Sequence, residues 1–334
     1  MGTGGDSHST FNISTTASII ASPLLVTAKH GNRAQSSLSG SADVLNAIAP
    51  VPPKLSAVTA DNLAQIYTQT NYAFLFAPNF HPGMRHAASV RKELGIRTIF
   101  NLLGPLANPV DWAIEARVVG VAYQELGPVF AAALRFSGVR KALVVCGSED
   151  LDEISCASPT NCWMLSESGE QETSDLQIGM QNNDNNQYHN DAYETSSRTS
   201  VRIETFQLSP SDFGLPAHPL SDVGGGKLPH ENASKLMQIL RNDPPSPAPT
   251  PTTASRTTEN PILDFVLMNT AALLVISGVC EDDAPSMGPE GLIIKERGPG
   301  GQRWKEGVRK ARWCIESGKA LEQLQTFIEA TNSV

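Results

Sequence analysis

Lys141-Ala-Leu-Val-Val-Cys146, an apolar run closed by Gly147, and Arg117-Val-Val-Gly-Val121 upstream of it both have the length of strands buried on two faces. Neither alternates polar with apolar residues as a half-solvated strand would. Further along, the period lengthens. Val308, Ala311, Ile315, Leu321, Leu324 and Ile328 recur at three-, four- and six-residue steps, which predicts one or two helices over 307–330 with a break near Gly318. Leu263 to Ser277 also reads as a helix, apolar nearly all round and therefore buried. Short buried strands among helices define an α/β protein whose sheet is flanked by helices on both faces.

The chain has 334 residues, enough for a sizeable core. Hydrophobic residues make up 40% and charged residues 18%, a globular balance, while 23 Pro and 26 Gly call for long loops. Lys and Arg total 25 against 34 Asp and Glu, a formal net charge of -9. That sign argues against nucleic acid as a partner, because such binding rests on neutralising phosphates. Five cysteines without a C-x-x-C pair indicate neither a disulfide framework nor a zinc site and fit a reducing compartment. Cys146 reads as an inert small hydrophobe in its strand. The most apolar stretch, Phe265 to Cys280, is interrupted by Asn269 and Thr270 and falls short of the ~20 residues of a membrane span. These features describe a soluble, cytoplasmic protein without a membrane partner.

Three stretches break the pattern. Residues 166–200 are rich in Asn, Gln, Ser, Asp and Glu and hold too few apolar side chains to offset the entropy of ordering, so a disordered insertion is expected there. Residues 242–261, NDPPSPAPTPTTASRTTENP, read as an extended Pro-rich linker. Residues 281–302 read as a loop insertion. The rest, within 1–334, forms one domain.

Gly2-Thr-Gly-Gly-Asp6, followed by Thr10-Phe-Asn-Ile-Ser-Thr15, is the first stretch with chemistry in it. Glycines let backbone N–H groups approach an anion closely, and the hydroxyls beyond offer donors and magnesium ligands, a pattern suited to a diphosphate. A bare turn is the plainer reading. Lys29-His-Gly-Asn-Arg-Ala-Gln-Ser-Ser37, with Gly40, Ser41 and Asp43 behind it, concentrates cations, amides and hydroxyls as a sugar phosphate would require; its plainer reading is a solvated loop. His81 and His86 are five apart, not at the i, i+4 spacing of a helical metal pair.

These segments resemble the anthranilate phosphoribosyltransferases. GTGGD, TFNIST, KHGNRAQSS, SGSADVL, FLFAPNFHPGMRH, VRKELGIRTIFNLLGPLANP, Leu151-Asp-Glu-Ile-Ser155, Glu306-Gly-Val and Ser317-Gly-Lys-Ala320 occur in the family's order across nearly the whole chain, outside the three breaks. The resemblance implies a catalytic domain of the nucleoside phosphorylase/phosphoribosyltransferase type, a mixed sheet flanked by helices. It also implies transfer of the phosphoribosyl group of 5-phosphoribosyl 1-pyrophosphate (PRPP) to the amine of anthranilate, with Mg2+. By the same resemblance, Gly2, Gly5, Asp6, Thr10, Asn12, Ser14, Thr15, Lys29, His30, Gly31, Asn32, Arg33, Ser36, Ser37 and Ser41 match PRPP positions. Asn32 and Arg91, with His81 nearby, match anthranilate positions, and Ser14, Asp152 and Glu153 match the metal site. A guanidinium suits a carboxylate through a forked pair of hydrogen bonds, and hard magnesium prefers oxygen ligands. No single general base stands out.

Two departures from the family pattern are visible. Leu38 stands where a Lys usually follows the serine pair, which removes a cation beside the phosphate loop. Met1 directly precedes the glycine turn, so the N-terminal helical domain that helps to form the family's homodimer and aromatic site is expected to be largely absent, the turn to be loose, and the isolated chain to be poorly soluble and weakly active. Competing readings are a truncated inactive copy, a pyrimidine nucleoside phosphorylase-like enzyme and a non-catalytic nucleic-acid-binding relative. The last should be basic, whereas this chain is acidic.

Overall fold

The computed structural model describes residues 2–3, 6, 8–34, 39–84, 86, 93, 98–168, 200–226, 228–244 and 260–334. Among them run the strands β1 (Thr27–Gly31), β2 (Tyr72–Phe76), β3 (Ala116–Gly120), β4 (Lys141–Gly147), β5 (Thr160–Ser168) and β6 (Ser200–Leu208). The helices are α1 (Ile13–Ala21), α2 (Ser41–Asn46), α3 (Leu63–Tyr67), α4 (Ala77–Phe80), α5 (Ile99–Leu103), α6 (Leu126–Phe136), α7 (Pro229–Leu240), α8 (Pro261–Ser277), α9 (Trp304–Glu316) and α10 (Lys319–Asn332).

β1 and β2 pair in parallel, from Thr27 opposite Tyr72 to Gly31 opposite Phe76. The second sheet runs β3-β4-β5-β6, parallel between β3 and β4 and antiparallel beyond, so the architecture is α/β with a mixed sheet. β4 is buried on both faces, as its unbroken apolar run requires. Leu143 and Val145 enter the main core with Phe265, Leu267 and Leu274 of α8, while Ala142, Val144 and Cys146 enter a second cluster with Phe130, Ala131 and Leu134 of α6. Each of the Leu, Val and Phe side chains contributes about 1.5–3 kcal/mol by leaving water.

The expected C-terminal helices are both present, and the break falls at Gly318, whose φ of +73° is left-handed and comfortable only for glycine. α8 begins where the Pro-rich linker was expected to end: Asn260 Oδ1 accepts from Leu263 N at 3.1 Å, and Pro261 takes the first helical position, where its missing N–H costs nothing. At the other edge of that stretch, Gln238 Nε2 of α7 donates to Pro244 O at 2.8 Å, and residues 245–259 lie outside the described residues. Ser166 to Ser168 and Ser200, at the margins of the expected disordered insertion, are paired instead at the ends of β5 and β6, with Arg202 Nε donating to Ser166 Oγ at 3.2 Å and Arg140 paired with Glu167. Residues 169–199 lie outside the described residues. The loop at 281–302 holds only a short 3-10 turn, Pro299–Gly301, and is fastened by charged pairs rather than by apolar packing.

Candidate active site

A cavity of about 870 Å³ opens between the two sheets, lined by Thr27 to His30 of β1 on one side and Ala116 to Val119 of β3 on the other. α1 brings Ser14 to it and the loop after β4 brings Glu153. Apolar walls come from Leu25, Leu63, Phe80, Pro105 and Leu273. Polar groups at one end of an apolar recess are the usual layout of a small-molecule site.

The glycine turn is pinned at its start rather than loose. Gly2 bridges Gly120 in parallel, Thr3 N donates to Gly120 O at 3.0 Å, and Ala122 N donates to Thr3 Oγ1 at 3.1 Å. Glycine is required at two points here: a Cβ at Gly2 would overlap the Asp152 carboxylate, and one at Gly120 would overlap the Asp152 carbonyl. The turn and the acidic loop therefore touch. His8 adds a second tie, its Nε2 lying 2.9 Å from Glu149 O, and Asp6 Oδ1 accepts from His8 N at 3.2 Å.

Thr10 bridges Gly224, and Phe11 N donates to Val223 O at 2.9 Å, which fixes the entry to α1. The hydroxyl-rich segment beyond is the first turn of that helix, a reading that the run of Ser and Thr concealed. Asn12 Oδ1 and Thr15 Oγ1 are buried with no protein partner. Each such orphan costs about 1–3 kcal/mol unless a ligand or water satisfies it.

Lys29, His30 and Gly31, matched to PRPP positions and with a solvated loop as the plainer reading, form the buried end of β1. Strand pairing with Phe74 to Phe76 overrides the polar composition. Lys29 Nζ donates to Ser14 Oγ at 3.1 Å. Burial pushes its ammonium down to about 8, against the pull of Glu153 and Asp152. Burial, then repulsion from Asp152, pushes the Glu153 carboxyl up to about 8, against the pull of Lys29 and with Asp6 adding to the rise. Ser14, Lys29, Asp152, Glu153 and Asp6 thus form one electrostatically linked cluster. Two carboxylates and a hydroxyl are oxygen donors of the kind a hard divalent cation takes, with its remaining positions left to water and phosphate. Among the described residues no cluster of three or more His, Cys, Asp and Glu stands ready for a metal that needs a full protein cage.

His30 and His81 stack edge-to-face with ring centroids 5.0 Å apart. Burial first, then His81 and Lys29, push the His30 imidazole down to about 4, so it is neutral near pH 7. His81 Nε2 is buried without a partner. Asn32 and Arg33 are exposed at the end of β1; Asn32 Oδ1 accepts from Arg33 N at 2.8 Å, and the Arg33 guanidinium lies 5.9 Å from the centre of the Phe76 ring. Ser41 opens α2, and Asp43 Oδ2 accepts from Ala34 N at 2.8 Å and Gly40 N at 3.1 Å, drawing together the two ends of the loop between them. Gly5, Ser36, Ser37, Leu38 and Arg91 lie outside the described residues. Cys146 is buried with its thiol pushed up to about 12, mainly by burial, in keeping with an inert side chain.

Several supporting residues carry no local signal in the sequence. Glu149 accepts from the hydroxyls of Ser155 and Ser158 and so knots the acidic loop. Gln124 Nε2 donates to Gly147 O at 2.7 Å, and Asn269 of α8 reaches the backbone of Ile154.

Residues 1–196 and 183–321 match the family model described as glycosyl transferase family, a/b domain. A recess lined by a serine, a buried lysine and a carboxylate on an α/β frame fits that class. The chain is 37% identical to an anthranilate phosphoribosyltransferase of Schizosaccharomyces pombe over 98% of its own length and 72% of the relative's. Against the enzyme of Saccharomyces cerevisiae it is 34% identical, over 100% of its length and 72% of the relative's. A solved structure of the Saccharomyces cerevisiae enzyme in complex with PRPP and Mg aligns with a TM-score of 0.72 and 32% identity, covering 100% of this chain and 73% of that one. The Thermus thermophilus enzyme aligns with a TM-score of 0.66 and 30% identity, over 99% and 76%. The chain belongs to the anthranilate phosphoribosyltransferase family. Among the described residues no helix is long and apolar enough to cross a membrane.

Proposed function

We propose that this chain transfers the phosphoribosyl group of PRPP to anthranilate, giving N-(5-phosphoribosyl)anthranilate and pyrophosphate, a step of tryptophan biosynthesis. The anthranilate nitrogen bonds to ribose C1 as the bond from C1 to the pyrophosphate oxygen breaks, and the amine gives up a proton. The observation that carries the reading is the meeting of Ser14, Lys29 and Glu153, with Asp152 beside it, in the lining of one cavity.

Gly2, Gly5, Asp6, Thr10, Asn12, Ser14 and Thr15, with Lys29 to Arg33, Ser36, Ser37 and Ser41, hold PRPP. The orphaned Asn12 Oδ1 and Thr15 Oγ1 are suited to the ribose hydroxyls or to water on the phosphates. Ser14, Asp152 and Glu153 hold Mg2+, which when bound stabilises charge on the departing pyrophosphate. Lys29 adds a fixed cation beside it. Asn32, His81 and Arg91 receive anthranilate, with the neutral His30 behind His81 excluding water and adding no charge against the amine. The same reading places the enzyme in the cytoplasm.

Loss of anthranilate fluorescence on adding PRPP and Mg2+ tests the reaction, and phosphorolysis of thymidine in its place would replace the reading with a phosphorylase. Arg91→Ala should weaken anthranilate use by about 2–5 kcal/mol of transition-state binding while PRPP use changes little. An unaltered anthranilate dependence removes Arg91 from the site.

A further inference from the structure

Two adjacent polar residues sit in the apolar middle of α8, and they spend their hydrogen bonds differently. Thr270 Oγ1 donates to Val266 O at 2.8 Å, within its own helix. Asn269 reaches out of the helix: its Oδ1 accepts from Ile154 N at 3.0 Å and its Nδ2 donates to Ile154 O at 3.1 Å, with Phe265 O as a second acceptor at 3.1 Å. Asn269 is 4% exposed and Ile154 is fully buried. A primary amide in an apolar helix costs free energy unless its donor and acceptor are both met, and here both ends are met by one residue of a distant loop.

That residue adjoins Glu153. Asn269 also lines the same cavity as Ser14, Lys29 and Glu153. The knot made by Glu149, Ser155 and Ser158 shapes the loop internally, whereas the Asn269 grip ties it to the helix packed against the sheet. We propose that Asn269 is a positioning residue for the transfer, fixing through the Ile154 N–H and C=O where Asp152 and Glu153 stand relative to Ser14 and Lys29. The inference rests on the reading of that acidic pair as the metal site. Groups that orient a metal ligand from behind typically change metal affinity by about 10- to 100-fold when removed.

The test is a Mn2+ titration of the full chain with PRPP present, followed by the electron paramagnetic resonance of the free ion, with Tm measured in parallel. Asn269→Leu keeps the volume and removes both polar groups; it should raise the Mn2+ dissociation constant about 10- to 100-fold. Thr270→Val removes a hydrogen bond of the same helix and should lower Tm while leaving Mn2+ affinity at the wild-type value, which a purely structural role for Asn269 would match. Mn2+ affinity of Asn269→Leu equal to wild type overturns the proposal. Should Asn269→Leu not fold, Asn269→Ser, whose hydroxyl can reach at most one of the two Ile154 groups, decides by the same criterion. Asp152→Asn with Glu153→Gln separates the two layers. If that double variant loses Mn2+ while Asn269→Leu keeps it, the positioning role alone falls; if the double variant binds Mn2+ like wild type, the metal reading falls and takes the inference with it.

Discussion

Two carboxylate clusters in this molecule are built on opposite principles. Glu306 in α9 is fully buried, yet every demand it makes is met: Arg309 donates through Nε and an Nη at 2.7 Å each, Ile294 N donates at 3.0 Å, and Lys310 Nζ lies 4.0 Å away. The carboxylate in turn holds the Arg309 guanidinium well above its ordinary range. Asp152 and Glu153 stand side by side near Lys29, and Glu153 is driven toward its neutral form by burial and by its neighbour. The first cluster is a closed latch that ties the 281–302 loop to α9. The second gathers a buried lysine, a serine hydroxyl and a carboxylate at a cavity wall, donor chemistry that suits a hard cation and phosphate.

If that contrast is right, Asp152→Asn with Glu153→Gln should lower transfer on the order of a thousandfold at any magnesium concentration while circular dichroism and Tm stay near wild type. Retained activity would make the second cluster structural like the first. Glu306→Ala should do the reverse, destabilising the fold by about 3–5 kcal/mol in urea because Lys310 and Arg309 lose their buried partner, without moving the magnesium dependence of whatever folds. At the rim of the latch, Arg297 bonds Glu281 and Gly301 O in the open. Arg297→Ala should therefore cost about 1 kcal/mol or less by the same urea measurement, and a larger loss would show the rim to be part of the latch. Deleting residues 170–199 should change neither fluorescence-monitored transfer nor Tm, since that stretch has no apolar pattern with which to join either cluster.

Much of this frame is legible in the sequence wherever the signal is local. The Lys141–Cys146 run is a strand because six consecutive residues suit burial on both faces, and α9 and α10 part at Gly318 because one position needs a positive φ. The Asp152–Glu153 pair is singled out by the family resemblance, since Glu149 and Asp150 are an equally adjacent acidic pair nearer the same glycine. Lys29 to Gly31 misleads a local reading: polar side chains suggest a loop, while the backbone is a strand paired to an apolar neighbour 45 residues on.

What the sequence by itself determined is which segments could be strand or helix and which residue types were available for phosphate, metal and aromatic acid, because periodicity and motif are properties of neighbours in the chain. Only the tertiary structure decided that β1 and β3 face each other across a cavity, that Glu153 is pushed up and Lys29 pushed down, and that Asn269 grips Ile154 from 115 residues away. Those outcomes depend on desolvation and on distances between side chains that no local pattern encodes. A carboxylate or an amide acquires its cost, and so its role, from the groups that folding brings around it.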